Sequence, residues 1–475
     1  MFTLNLAFVK ESVIRHLVIK IRLSRLYRFF QMGGTPHLKK IAFASRTKMN
    51  RNKLGGSITH HIFLKEGMQM ICVGIDVSKG KSTVCVLKPG GEVLETPFEM
   101  LHTMDSILSL VHLIRSYPEE VRVVLEDTGH YHRPVVTLLV ENGVFVCSVN
   151  ALRMKKYCSQ SIRKAKNDRI DSVHIASYGL TYWNELVPEK PTEDTYKELK
   201  LLARQYYQTV SMLVKSKVNL NNLLDQTMPG IVNLMNDNSS NHKLTDFVAR
   251  YWHYGHILEM GEKRFTADYF KWAKKQGYRA YERLAGEILA VAQNGIPALP
   301  NSPVTRIVVM EAVRVLHQIE ITRDTILAQM QELAKSLPEY SVVKSFSCVG
   351  DTLAPRIIAE IGDVRRFKNK HSLIAYAGID APPYQSGAFN ATERHISKRG
   401  NSYLRKTGYE IMQSLIMHRP VDEPIFDLIQ KKRSEGKCGK EAMIAGLNKF
   451  LRVYYGKVSE LYEDIRKQSI SVTKV

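Results

Sequence analysis

The sequence predicts an α/β domain, then long amphipathic helices, then a second, mainly α-helical unit. Three observations carry that reading. Short apolar runs alternate with helical spacing between residues 71 and 190, apolar residues recur at 3,4 spacing in two long stretches after Pro191, and irregular Gly/Pro segments separate helices beyond Tyr340.

The elements follow in order. Ile71 to Val77 is apolar and ends in a turn, and Ser82 to Leu87 alternates, so both read as strands. Met104 to Arg115 has helical spacing, Val121 to Glu126 reads as a buried strand, and Pro134 to Asn142 as a helix closed by Gly143. Val144 to Val149 is the next strand, and a helix carrying Asp168 and Asp171 follows. The expected order is strand, strand, helix, strand, helix, strand, helix, with a largely covered sheet.

After Pro191, Leu199, Leu202, Tyr206, Thr209, Leu213, Ser216, Leu220 and Leu223 form one heptad seam. Val309, Ala312, Leu316, Ile319, Arg323, Ile326, Met330, Leu333 and Leu337 form another. Each seam suits a core-facing amphipathic helix or a coiled coil, and the polar Ser216 and Arg323 would set a register within one chain or between copies. Residues 229 to 303 hold a polar stretch around Asn236 to Asn241, an aromatic helical stretch from Phe247 to Ala292 and a Pro-rich break near Pro297 to Pro303. Ser347 to Gly350, leading into Thr352 to Ile361 and Gly362, has the pattern of a helix-hairpin-helix, whose N–H groups bind phosphate. An irregular run, A-Y-A-G-I-D-A-P-P-Y-Q-S-G-A-F, then precedes H-I-S-K-R-G-N-S-Y-L-R-K, which opens a helix near Asn401. The expected units are residues 1–69, 70–190, 191–339, 340–427 and a basic helical tail, 428–475.

Composition limits the function. A chain of 475 residues with 44% hydrophobic content supports several folded cores. A net charge of +22 points to a polyanionic partner, nucleic acid before an anionic membrane surface. The six cysteines form no C-x-x-C pair, so neither zinc ribbons nor a disulfide framework is expected, and reduced thiols in a cytoplasm fit. No apolar run approaches the roughly 18 residues of a membrane span. Residues 1–69 carry thirteen Lys and Arg against Glu11 and Glu66, half of the net charge. That stretch reads as a basic arm, a transit-like leader, or sequence outside the natural protein. The third reading is favoured, because Lys65-Glu66-Gly67 permits a ribosome-binding sequence just before Met70.

Four acidic residues carry the chemistry: Asp76 in V-G-I-D-V-S-K, Glu126 in V-V-L-E-D-T-G, and Asp168 and Asp171 in K-N-D-R-I-D-S. Two lie at strand ends and two lie three apart on one helical face, an RNase H-like layout. Four converging carboxylates repel one another unless divalent cations neutralise them, and two such ions about 3.5–4 Å apart suit phosphodiester displacement.

With G-I-D-V-S-K, the E-x-T-G-x-Y-H-R-P block of residues 126 to 134, K-N-D-R-I-D, and P-x-x-x-S-G followed by I-S-K-R-G-N-x-Y-L-R, the sequence resembles the DEDD transposases of the IS-one-ten insertion-sequence family, bridge-RNA-guided recombinases. The resemblance covers about residues 71 to 455. It implies a RuvC-like domain whose quartet falls on Asp76, Glu126, Asp168 and Asp171, and a carboxy-terminal transposase domain whose essential serine falls on Ser386. It also implies magnesium, a covalent phosphoserine link to DNA, strand exchange through a junction, an element-encoded guide RNA pairing with donor and target DNA, and assembly as dimers or tetramers.

Each assignment has a plainer competitor. Asp76 fits a strand-end turn, Glu126 competes with Asp127, and Asp168 and Asp171 fit surface ion pairs with Lys164 or Arg169. Ser386 fits a turn, with Ser397 and Ser402 nearby. His130 and His132 suit a general base or a structural role, and Tyr131 a base stack or core packing. Lys79, Lys81, Arg163, Lys164, Lys166, Lys398, Arg399 and Arg405 are the expected nucleic-acid contacts, against solvated charge. Three other functions compete: a junction resolvase or nuclease that uses water, a sugar-kinase-like or actin-like ATPase, and a protein that only binds DNA.

Overall fold

The computed structural model describes residues 70–472 except 128, 160–166, 190–192, 236–241, 383–384, 387–388 and 391–394. They fall into two compact units, one up to Glu189 and one from Lys190 onward.

The first unit is built on a five-stranded sheet of order β3-β2-β1-β4-β5. β1 (Met70–Val77), β2 (Lys81–Lys88) and β3 (Glu92–Leu101) form an antiparallel meander, and β4 (Glu120–Glu126) and β5 (Val146–Val149) add in parallel to β1. This three-plus-two order is that of an RNase H-like sheet. β1 and β4 are apolar on both faces, as strands covered on both sides must be. Ile71, Val73, Ile75, Val123 and Leu125 pack with α1 (Met104–Ser116) and α2 (Arg133–Glu141). Cys72 and Val124 face the other way, toward α3 (Ala151–Cys158) and α4 (Asp168–Thr181).

The sequence reading left out β3 and α3. β3 is the edge strand, and Glu92, Glu95, Pro97 and Glu99 leave it half exposed with no clean alternation. α3 is only eight residues long, with four charged or polar positions and Met154 as its buried anchor.

In the second unit the two heptad seams become α5 (Asp194–Thr227) and α11 (Pro303–Lys335), which pack antiparallel within the chain. Leu213, Leu220 and Leu224 meet Val309, Val313 and Leu316 at one end, together with the aromatic lobe of α6 (Ile231–Met235), α7 (Lys243–Arg250), α8 (Tyr254–Met260), α9 (Glu262–Gln276) and α10 (Glu282–Asn294). Tyr196, Leu199, Ala203 and Tyr206 meet Met330, Ala334 and Leu337 at the other end, inside a second core. That core also takes in α12 (Tyr340–Lys344), α13 (Leu353–Ile361), α14 (Lys370–Ala377), α15 (Ser402–His418), α16 (Pro424–Ser434) and α17 (Gly439–Val472). α12 precedes the segment read as a helix-hairpin-helix, α13 lies within it, and α13 is buried from Ala354 to Ile361. The stretch expected as a basic tail supplies Leu447, Phe450, Leu451 and Tyr454 to the core. Among the described residues no helix is long and apolar enough to cross a membrane.

Candidate active site

Asp76 is the last residue but one of β1, and Glu126 ends β4. The parallel register pairs Ile75 with Leu125, so the two acids follow at adjacent positions on neighbouring strands. Side chains alternate along a strand, which puts Asp76 on the same face as Cys72 and Gly74, and Glu126 on the same face as Val124. That face carries α4. A Cβ on Gly74 would lie 2.2 Å from the Ser172 carbonyl oxygen and 2.4 Å from Ala176 N, and one on Gly179 would meet Cys72 Sγ at 2.2 Å. Helix and strand therefore touch backbone to backbone, and they run antiparallel. The start of α4, with Asp168 and Asp171, lies toward the strand ends that hold Asp76 and Glu126.

Local signals fix that start. Asn167 caps α4, its Oδ1 accepting from Ile170 N at 2.8 Å. Asp168 and Asp171 then occupy the first turn, where the helix dipole favours negative charge. Asp76, Glu126 and Asp171 are half-buried and Asp168 is exposed. Burial first, then the charges of Asp171 and Glu126, push the Cys158 thiol above its usual range, so both carboxylates act on one neighbour. Asp168 lines an open cleft with Thr83, Glu99, Asn167 and Arg169, and Thr83 is the β2 partner of Asp76. Among the described residues no three of the four carboxylates bring oxygens within 4.8 Å of one another. The backbone gathers them at one edge of the sheet.

The neighbouring residues take distinct positions. Asp127 is exposed and faces His132, with Nε2 to Oδ1 at 3.5 Å, whereas Glu126 turns to the α4 face. His132 is buried at the start of α2 with Nδ1 unpartnered, Tyr131 packs against the core, and the ring of exposed His130 lies tilted against Tyr131 with centroids 4.2 Å apart. Lys79 is exposed in the β1–β2 turn. Lys81 forms an ion pair with Glu99 at 2.6 Å, which, ahead of the field of Asp168, raises its pKa. Arg163, Lys164 and Lys166 lie outside the described residues.

Ser386 stands in the second unit, in β6 (Gln385–Ser386), paired antiparallel with β7 (Phe389–Asn390) in the register Ser386 to Phe389. The loop around this hairpin is closed at its base by backbone bonds: Ser397 N to Asp380 O at 2.8 Å, Lys398 N to Gly378 O at 2.9 Å and Asn401 N to Tyr376 O at 2.7 Å. The end of α14 and the segment before α15 pass so close that a Cβ on Gly400 would meet Tyr376 O at 2.3 Å. Ser397 Oγ donates to Asp380 Oδ1 at 2.5 Å, and Ser402 is exposed in the first turn of α15. Lys398 and Arg399 are exposed beside this closure, Lys398 in the left-handed region at φ 52°. Arg405 Nη1 donates to the carbonyls of Ala377 and Gly400, so its guanidinium braces the loop base.

Sequence reasoning missed the group that supports this closure. Glu360 of α13 is buried, takes both terminal nitrogens of Arg204, and accepts from Asn401 Nδ2 at 2.8 Å. Burial opposes ionisation of the Tyr376 phenol, yet Lys200, Arg366 and a bond from Asn401 bring its pKa below the usual value. The available signal was a lone Glu in the apolar run of α13.

Two family models match the chain. One described as "Transposase", the DEDD model of the IS110 type, matches residues 73–229, and one described as "Transposase IS116/IS110/IS902 family" matches residues 340–425. An IS116 insertion-element protein of Streptomyces clavuligerus, described as an uncharacterized 44.8 kDa protein, is 23% identical over 79% of this chain and 91% of its own. An IS110 insertion-element protein of Streptomyces coelicolor, described as an uncharacterized 43.6 kDa protein, is 20% identical over 83% and 94%. Among solved structures, Thermus thermophilus RuvC matches 25% of this chain at 12% identity with a TM-score of 0.21, covering 100% of that chain. RuvC in complex with a Holliday junction substrate matches at 11% identity and 0.20, covering 25% of this chain and 99% of the other. The two family models fall on the segments that hold the acidic quartet and Ser386, and together span about half of the sequence. The chain belongs to the IS110 (IS-one-ten) family of transposases, enzymes that cut and transfer DNA strands.

Proposed function

We propose that this transposase cuts and rejoins DNA with Asp76, Glu126, Asp168 and Asp171 as a magnesium-binding quartet and Ser386 as nucleophile. The observation that carries this reading is the shared edge: two carboxylates at adjacent strand ends and two in the first turn of the helix lying over them. The donor set is all oxygen, partly solvated and multiply charged, which fits a hard divalent cation better than a zinc-type ion. When bound, magnesium would lower the pKa of the attacking hydroxyl and offset charge on the phosphoryl oxygens.

The chain's own groups do the rest. Ser386 Oγ forms a bond to phosphorus as the bond to the leaving strand oxygen breaks; the hydroxyl proton goes to solvent and the leaving oxygen is protonated. Attack by a second strand's hydroxyl on the phosphoserine ester reverses this and frees the serine. Exposed Lys79, Lys398 and Arg399 hold phosphates by charge, as do Arg163, Lys164 and Lys166, with Arg405 acting chiefly through the loop base. Donor and target DNA are the substrates, and an element-encoded guide RNA supplies sequence choice by base pairing, so the protein's own contacts need read little sequence. Exposed Met212, Val214 and Val218 on α5, with Val304, Ile307 and Val308 on α11, support assembly into dimers or tetramers.

The test is trapping of a protein–DNA adduct. Wild-type protein with magnesium, its co-purified RNA and matched DNA forms a covalent adduct, and Ser386→Ala forms none and joins no strands. Cleavage that survives in Ser386→Ala with no adduct in wild type moves the reading to a water-using, RuvC-like nuclease.

A further inference from the structure

The aromatic lobe meets the α5–α11 hairpin at a cluster that the strand-transfer chemistry does not use. His242 precedes α7 as its N-cap residue, yet its side chain makes no capping bond. Instead its Nδ1 lies 3.3 Å from Glu320 Oε2 on α11. His317 stands three residues before Glu320, on the same face of that helix. One ligand atom of each of the three residues lies within 4.8 Å of the other two.

Two details make this a ligand set instead of a chance meeting of charges. Glu320 is only 9% exposed, and its Oε2 is buried with no hydrogen-bond partner, a costly state for a carboxylate oxygen. Lys217 Nζ, at 3.7 Å, faces the other oxygen, Oε1, and leaves Oε2 toward the histidines. The second detail is an orienting bond. The Thr245 hydroxyl lies 2.9 Å from His317 Nε2 and 2.9 Å from the His242 carbonyl, so the His317 ring is held by one nitrogen. With Nε2–H given to Thr245, Nδ1 of the neutral ring has its lone pair for a ligand. A histidine oriented by donating its other N–H is the usual support of a metal ligand.

We propose that His242, His317 and Glu320 bind a borderline divalent transition cation of the zinc class. Two imidazoles and one carboxylate suit such an ion and do not suit magnesium. The His242 side chain is 54% exposed, so water has access to a fourth position. The ion ties the start of α7 to the middle of α11 and so fixes the aromatic lobe on the hairpin. This assignment is independent of the role of Ser386.

The experiment uses full-length protein stripped with a chelator, then titrated with cobalt(II) and, separately, zinc. Wild type is expected to take up cobalt with visible absorption of a four-coordinate, imidazole-containing site, and zinc to raise Tm by a few degrees, reversed by chelator. Asp76→Asn should keep both responses. His242→Gln, at a half-exposed position that folding tolerates, and His317→Gln should lose both. A cobalt spectrum and zinc-induced Tm shift unchanged in His242→Gln would overturn the proposal, as would wild type showing neither.

Discussion

In the α/β unit every acidic candidate stands on a regular element: Asp76 and Glu126 on paired strands, Asp168 and Asp171 on a capped helix pressed against the sheet. Ser386, in the helical unit, stands on a two-residue strand inside a loop whose base is closed by a few backbone bonds and one buried carboxylate. The first arrangement sets positions by register and close packing. The second sets them by a clasp. On the proposed function the contrast has a reason: cation binding by four like charges would need fixed geometry, whereas a serine that links to one strand and is then released could stand on a local loop.

The largest effect separates chemistry from folding. Asp76→Asn and Asp171→Asn are expected to cut DNA cleavage about 10³-fold or more, equivalent to roughly 4 kcal/mol of barrier, with Tm nearly unchanged. An Asp171→Asn enzyme that cleaves at the wild-type rate would remove the helix from the site.

Next comes the clasp. Glu360 is paired with Arg204 and bonded to Asn401, and Arg204 also lies over the Tyr403 ring at 3.8 Å. Removing one partner of a buried pair costs about 3–5 kcal/mol, so Glu360→Ala should lower the free energy of unfolding by that amount, with a lower urea midpoint, and lose adduct formation. If urea melts match wild type, the loop base is held by something else.

The close approach of α4 to β1 gives a smaller expected effect. Gly74→Ala forces a methyl toward the Ser172 carbonyl oxygen, and overpacking of this kind costs about 1–3 kcal/mol. Because the shift moves the first turn of α4, cleavage should fall more steeply than stability does. Equal losses in a paired thermal and cleavage assay would mean that Gly74 serves packing alone.

These contrasts match what was legible in the sequence. Four strands and three of the four helices of the first unit were readable because period and burial agree there, as in Ile71 to Val77 and Val121 to Glu126. β3 was not, since an edge strand carrying Glu92, Pro97 and Glu99 has no apolar face to show. The gathering of the four acids at one sheet edge was readable from their motifs, but the reason for Gly74 was not, because the partner backbone is about a hundred residues away. Heptads announced α5 and α11, while their antiparallel pairing depends on which ends share a core. Glu360 and Arg204 escaped for the same cause: a buried ion pair between distant helices leaves no periodic trace.

Two asparagines give the smallest and most direct comparison. Asn167 caps α4 by accepting from Ile170 N, and Asn401 caps α15 by accepting from Tyr403 N and Leu404 N at 3.0 and 3.1 Å. Loss of a cap costs about 1 kcal/mol, and Asn167→Ala should cost about that, since among the described residues its side chain makes the capping bond alone. Asn401 also donates to Glu360, so Asn401→Ala leaves a buried carboxylate short of a donor and should cost about 2–4 kcal/mol. Aspartate separates the two functions: Asn167→Asp keeps its cap and should melt like wild type, whereas Asn401→Asp keeps the cap but sets a negative charge against Glu360. Urea melts of the four variants decide it, and an Asn401→Asp protein as stable as Asn167→Asp would mean that the clasp does not depend on that bond.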